Sequence, residues 1–407
     1  MKLWSKGSDS GGGQGAVPAV AKAAGAKVIE RFTVGSDPVL DLRLVEFDCI
    51  ASQAHAAMLV KIGVLKEDEA KALISELERI KKTAAAGKFI IGPDQEDCHT
   101  AIENWLTQKC GEAGKKIHTG RSRNDQVLTA LRLYEKDSLS KMEGAVIELK
   151  KAITTAIERY GSLPMPGYTH MRKAMPTTAG LWLDGFEASL DDDLMLLKSV
   201  ANIMNKSPLG SAAGFGVPIL GLDTVMTAKA MGFCGPMENP NYAQISRGKL
   251  ESSLLHALTQ VMFTLNKMAT DIMLYSTAEF GFVSLPAELC TGSSIMPQKK
   301  NADVVELIRG YYHVVVAEEM KVKGLIGSLP SGYNRDLQLT KEPVFKALDI
   351  AFDCLELMAL VVENMTLNAE KLQQAMTPEL YATQEAYLLV KQGVPFREAY
   401  RTVGKNF

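Results

Sequence analysis

The sequence predicts a mainly α protein: a central bundle of long helices flanked by smaller helical domains. Three observations carry this. Apolar residues recur at three- and four-residue intervals over stretches of about 25–30 residues, which at 1.5 Å per residue gives helices roughly 40 Å long. No segment of similar length alternates strictly between apolar and polar, so a large sheet is not expected. Some of the long patterns carry apolar residues beyond a single stripe, which implies packing between subunits as well as within one.

The elements follow in order. Residues 5–27, "SKGSDSGGGQGAVPAVAKAAGAK", are rich in Gly, Ala and Ser and read as a mobile arm or insertion. From Asp41 the pattern turns helical through "LRLVEFDCIASQAHAAMLVKIGVL", and "KEDEAKALISELERIKKTAAAGK" continues as an amphipathic helix ending near Gly87. Leu139, Met142, Val146, Leu149, Ile153 and Ile157 mark the first long helix. Leu183, Phe186, Leu190, Leu194, Leu197, Ala201 and Met204 mark the second. A third runs from Leu250 through Leu254, Leu258, Val261, Leu265, Met268 and Ile272 to Tyr275. Val304 to Val322 is compatible with a fourth, although three consecutive valines weaken its local propensity. Across 407 residues this gives an N-terminal helical domain at 1–117 that includes the arm, the central bundle at 118–365, and a C-terminal helical domain at 366–407.

Composition narrows the function. The net charge is −2 and no basic run stands out, which argues against a nucleic-acid partner. An acidic small molecule stays open, since one cationic pocket does not need a basic protein. The six cysteines, at 49, 98, 110, 234, 290 and 354, form no CxxC pair and read as buried reduced thiols, not as a disulfide framework or a zinc site. No segment has the apolar length of a signal peptide core or a membrane span, so a soluble, cytoplasmic protein with no membrane partner is expected.

Four polar segments interrupt the helical pattern. "HTGRSRNDQ" (118–126) sets two arginines around a serine; their planar donor forks suit carboxylates. A helix cap near Asp125 with solvated arginines would account for only part of it. "PMPGYTHMRKAMPTT" (164–178) places His170 between prolines, where a helix break would expose a group able to hold or move a proton. In "GSSIMPQKKN" (292–301), Ser293 is a candidate nucleophile or base. A serine hydroxyl is too weak an acid for either role unless cationic or N–H donors stabilise its oxyanion, and Lys299 is a candidate for the former. "SGYNRDLQLTKE" (331–342) is similarly polar. There is no GxSxG elbow, Walker loop, GxGxxG fingerprint or metal-spaced histidine cluster, and hence no reason to expect a cofactor.

Together these segments resemble the signatures of the fumarase/aspartase superfamily, whose members cleave C–N or C–O bonds and release fumarate. The doubled lysine of "PQKKN" resembles its argininosuccinate lyase family, since fumarases and aspartases usually carry one lysine in a form like PGKVN. "HTGRSRNDQ" and "GYTHMRKAMPTT" are similar to that family's other signatures, and "EDCHTAIE" (96–103), "SPLGSAAGFG" (207–216) and "PFREAYRTVG" (395–404) also match. The resemblance implies a fumarase/aspartase-like fold and a homotetramer whose active sites each draw on three subunits. It implies cleavage of argininosuccinate to arginine and fumarate, as in arginine biosynthesis, without metal or cofactor. Ser293 would be the base on a closing loop, and Lys299 and Asn301 would stabilise the aci-carboxylate. His170 would serve as acid or substrate orienter, held by Glu306. Ser122, Arg123, Asn124, Thr169, Tyr333, Gln338 and Lys341 match substrate-binding positions, as does Arg247, although "QISRGK" departs from a common acidic variant. The 8–27 segment looks inserted, and the chain stops at "VGKNF", short of the family's usual C-terminal length. Adenylosuccinate lyase chemistry and a crystallin-like structural tetramer are the alternatives.

Overall fold

The computed structural model describes residues 19–92 and 95–406. The glycine-rich part of the N-terminal arm lies outside the described residues, whereas 19–27 open the Ala19–Val34 helix. The chain divides into two compact units. One comprises residues up to Leu139 with Val200–Ser252 and Val322–Pro343; the other comprises Ser140–Ser199, Ser253–Lys321 and the chain from Val344.

In the first unit the Val45–Lys61, Glu67–Ala85 and Cys98–Cys110 helices pack on one another. The middle helix shows why the local sequence folds this way. Glu67, Asp68 and Glu69 fill its first turn, where acidic groups meet the positive end of the helix dipole. The Lys66 amide donates to the Glu69 carboxylate (2.8 Å), and Ala70, Leu73, Leu77 and Ile80 form the buried stripe. Helix ends at Ala85, beside Gly87 as its residues suggest; the positive φ of that glycine (66°) turns the chain out. A second cluster, with Ala51, Ala54, Leu133, Leu209, Ala228 and Phe233 among its members, binds the start of the Arg123–Tyr160 helix to Val45–Lys61.

In the second unit the periodic residues are inside. Met142, Val146, Leu149 and Ile153 are buried, as are Leu183, Leu190 and Leu197 and the series from Leu254 to Tyr275; Ile157 and Phe186 are half-buried. The long helices are Arg123–Tyr160, Ala179–Met204, Lys249–Tyr275, Asp303–Ile326 and Lys341–Asn364. The expected absence of a large sheet is matched among the described residues by three two-stranded ladders alone.

One of these revises the sequence reading. Residues 164–178 are a β-hairpin, Pro164–Thr169 against Arg172–Thr178, and not merely a helix break. Its tip is His170 and Met171, with φ of 52° and 59°, the left-handed pair that a two-residue hairpin turn requires. Glycine or asparagine normally fills such positions, so the turn gives no signal in composition. The cysteine expectation also needs correction: Cys49, Cys98 and Cys354 are buried, but Cys110 and Cys290 are only half-buried and Cys234 is exposed.

Gly248, between Arg247 and the Lys249–Tyr275 helix, has φ +73°, and a Cβ there would run into the Ile326 side chain. Gly248→Ala therefore combines left-handed strain with overpacking. The expected loss is about 2–4 kcal/mol, read as a lower urea midpoint; an unchanged midpoint would show that the turn relaxes freely.

Candidate active site

The site in the first unit begins with the cap of the Arg123–Tyr160 helix. The Ser122 hydroxyl accepts from the Asn124 amide (3.3 Å), while the Ser122 amide donates to Asp125 Oδ1 (2.8 Å), a reciprocal capping box. Asp125 Oδ2 also accepts from the amides of Gly210 (3.0 Å) and Ala212 (2.9 Å), tying "SPLGSAAGFG" to the helix start. The flanking arginines are not solvated. Arg121 donates to Ser52 Oγ (2.9 Å), and Arg123 donates to Gln126 Oε1 (2.7 Å) and faces Asp97 (3.5 Å) and Glu103 (3.7 Å). Burial opposes ionisation of Asp97, but His99 and Arg123 outweigh it and hold the carboxyl below its ordinary range. Burial, followed by the charges of Arg121 and Arg123, lowers His118 to about 4, so it is neutral at pH 7.

Arg123, Asn124, Arg247, Tyr333, Gln338 and Lys341 line one cavity of about 120 Å³. Six of the expected site residues, drawn from three distant segments, thus meet. Several are already engaged. Lys341 Nζ donates to Asp41 Oδ1 (2.6 Å) and pairs with Asp37 Oδ1 (2.7 Å). Burial disfavours its charge, but the carboxylates of Asp41 and Asp37 outweigh that and raise its pKa above the ordinary lysine value. Gln338 donates to the Thr33 (3.0 Å) and Val34 carbonyls, and Arg335 donates to Thr33 (2.8 Å); both cap the C-terminal end of the Ala19–Val34 helix. The buried Arg247 guanidinium lies 5.0 Å from the Tyr333 ring, and its Nη1 has no hydrogen-bond partner among the described residues. Asp37, Asp41 and Asp97 also line the cavity and were not anticipated; their signal is distributed over the chain and lacks a motif of its own, apart from Asp97 within "EDCHTAIE".

The remaining expected residues belong to the second unit. Thr291–Gly292 pairs with Lys300–Asn301, closing a loop that carries Ser293 and the exposed Lys299. Ser293 Oγ accepts from the amides of Ile295 (3.3 Å) and Met296 (3.0 Å). These are N–H donors of the kind a serine oxyanion needs. Thr169 and His170 are exposed at the hairpin tip, and His170 lines a cavity with Tyr168, Trp182 and Asp271; Ser293 is not among its lining residues. Glu306 lies 3.9 Å from Arg309 on the same helix and makes no hydrogen bond or ion pair with His170 in the chain.

Lys341→Met would leave Asp37 and Asp41 buried without their cation, at an expected cost of about 3–5 kcal/mol near pH 7. A lysine whose folded pKa is raised contributes fully below its ordinary value and loses that contribution as pH rises through the raised one. Urea midpoints should therefore show a gap between wild type and variant at neutral pH that narrows above about pH 10.4 as the lysine loses its proton, and narrows in acid as Asp37 and Asp41 take theirs up. Equal midpoints at neutral pH would contradict the pairing.

A lyase family model matches residues 13–317. The argininosuccinate lyase of Thermotoga neapolitana is 48% identical over 379 residues, covering 93% of this chain and 95% of the relative; that of Sorangium cellulosum is 44% identical, covering 92% and 86%. Among solved structures, an EDDS lyase variant with bound fumarate superposes with a TM-score of 0.79 at 23% identity, over 92% of this chain and 74% of that one, which supports the fold. The chain belongs to the argininosuccinate lyase family of the fumarase/aspartase superfamily and is a lyase.

Proposed function

We propose that this chain catalyses the reversible β-elimination of argininosuccinate to L-arginine and fumarate, as a cytoplasmic enzyme of arginine biosynthesis. The observation that carries this reading is the cavity in which Arg123, Asn124, Arg247, Tyr333, Gln338 and Lys341 converge beside Asp37, Asp41 and Asp97. A lining of mixed sign suits a substrate that bears both carboxylates and cationic nitrogens. The names of the relatives agree with it.

In this reading Ser293 Oγ removes a proton from the carbon next to a succinyl carboxylate, with the Ile295 and Met296 amides stabilising negative charge on the oxygen. Lys299 and Asn301 face the aci-carboxylate, and the C–N bond to the guanidinium nitrogen then breaks. His170 orients substrate or carries a proton, with Glu306 as its carboxylate partner across a subunit boundary. Ser122 and Thr169 complete the substrate contacts, the former through the turn it caps. The assembly is a homotetramer in which three subunits supply each site. Exposed Met195, Leu307, Met320 and Leu360 on the long helices favour such packing. The division at 1–117, 118–365 and 366–407 belongs to the same proposal. No helix among the described residues is long and apolar enough to cross a membrane.

Fumarate release followed by ultraviolet absorbance, with argininosuccinate and adenylosuccinate offered separately, tests the reaction. Product from argininosuccinate alone is expected. Product from adenylosuccinate alone would move the assignment to that chemistry, and none from either in a tetrameric sample would favour a structural role. Ser293→Ala should lower kcat by about 10³-fold with helix content unchanged; retained turnover would remove Ser293 as the base.

A further inference from the structure

Behind the cavity, Asp41, Cys98 and His99 bring a carboxylate oxygen, a thiol sulfur and a ring nitrogen within 4.8 Å of one another. All three are fully buried or nearly so, with Asp41 1% exposed and the others 0%. Two of these residues also keep an unpartnered polar atom: Asp41 Oδ2 and His99 Nε2 are buried with no hydrogen-bond partner among the described residues, an arrangement that ordinarily costs free energy. We propose that Asp41, Cys98 and His99 form a binding site for a borderline-soft divalent cation of the Zn²⁺ or Co²⁺ type.

The surroundings supply what such a site needs. His99 Nδ1 lies 2.9 Å from Asp48 Oδ2. Asp48 further accepts from Ser52 Oγ (3.2 Å) and from Gln126 Nε2 on both oxygens (3.2 and 3.1 Å). An ionised carboxylate so surrounded by donors holds a proton on Nδ1, so that Nε2, on releasing its own proton to solvent, would present its lone pair to a metal, the carboxylate–histidine–metal arrangement of many zinc sites. Cys98 is held as the thiol by burial and by neighbouring carboxylates; coordination would release its proton to solvent and leave the thiolate bound to the cation. The mixed O, N, S donor set disfavours Mg²⁺ and Ca²⁺, which take oxygen ligands. Lys341 occupies only the other oxygen of Asp41 and is itself matched by Asp37, so its charge does not forbid a cation at Oδ2. Three protein ligands leave a fourth position open to water.

The full chain, freed of metal with a chelator, would be titrated with Co²⁺ while following the thiolate-to-cobalt charge-transfer band, and its Zn²⁺ content measured by equilibrium dialysis. The expected result is one cation per chain, lost in Cys98→Ser and kept in Cys234→Ser. The absence of stoichiometric binding, or binding that survives Cys98→Ser, would overturn the site. Should Cys98→Ser fail to fold by circular dichroism, X-ray absorption of the zinc-loaded wild type decides: a shell with one sulfur and the rest nitrogen or oxygen supports the site, and a shell without sulfur rejects it.

Discussion

The first unit depends on one buried carboxylate. Asp125 accepts the amides of Ser122, Gly210 and Ala212, so a single side chain ends the "HTGRSRNDQ" turn, starts the Arg123–Tyr160 helix and anchors the loop at 207–216. Burial pushes its pKa up despite those three donors, a measure of how much the amides must offset. Because the cap sets where the helix begins, it also sets where Arg121, Arg123 and Asn124 point. The cavity inherits its geometry from that choice.

Charge pairing then shapes the cavity. Lys341 sits between Asp37 and Asp41, Arg123 faces Asp97 and Glu103, and Arg335 and Gln338 are bound to helix-end carbonyls. In a partly desolvated cleft these partners keep the cations oriented and lower the cost of burying them. Arg247 differs: it rests against Tyr333 and holds one nitrogen without a partner. In the Ser293 loop the amides of Ile295 and Met296 donate to the hydroxyl, so local backbone fixes the side chain.

Much of this was legible in the residues. Apolar spacing marked 139–157, 183–204 and 250–275, which lie within the helices at 123–160, 179–204 and 249–275, because a helix that must bury one face repeats that face in sequence. The signature segments were legible for a different reason: dense polar groups beside Gly or Pro stand out within a helical chain, and residues of two of them, 118–126 and 331–342, meet at one cavity. The His170 hairpin was not legible, since its turn uses histidine and methionine at left-handed φ, which tertiary context must hold in place. Nor was the neighbourhood of Asp41, Cys98 and His99, since cysteine spacing points to a metal only when the ligands are close in the chain.

The sequence by itself determined the helical class, the positions of four of the five long helices (Lys341–Asn364 was not anticipated) and the residues that mark the family, all of which rest on short-range periodicity or contiguous motifs. Only the tertiary structure decided that Lys341 is held by Asp37 and Asp41, that Arg247 lies against Tyr333, and that Gln338 is bound to Thr33 and Val34. Each of these joins residues far apart in the chain. Their worth comes from burial and distance, and neither quantity exists until the chain has folded.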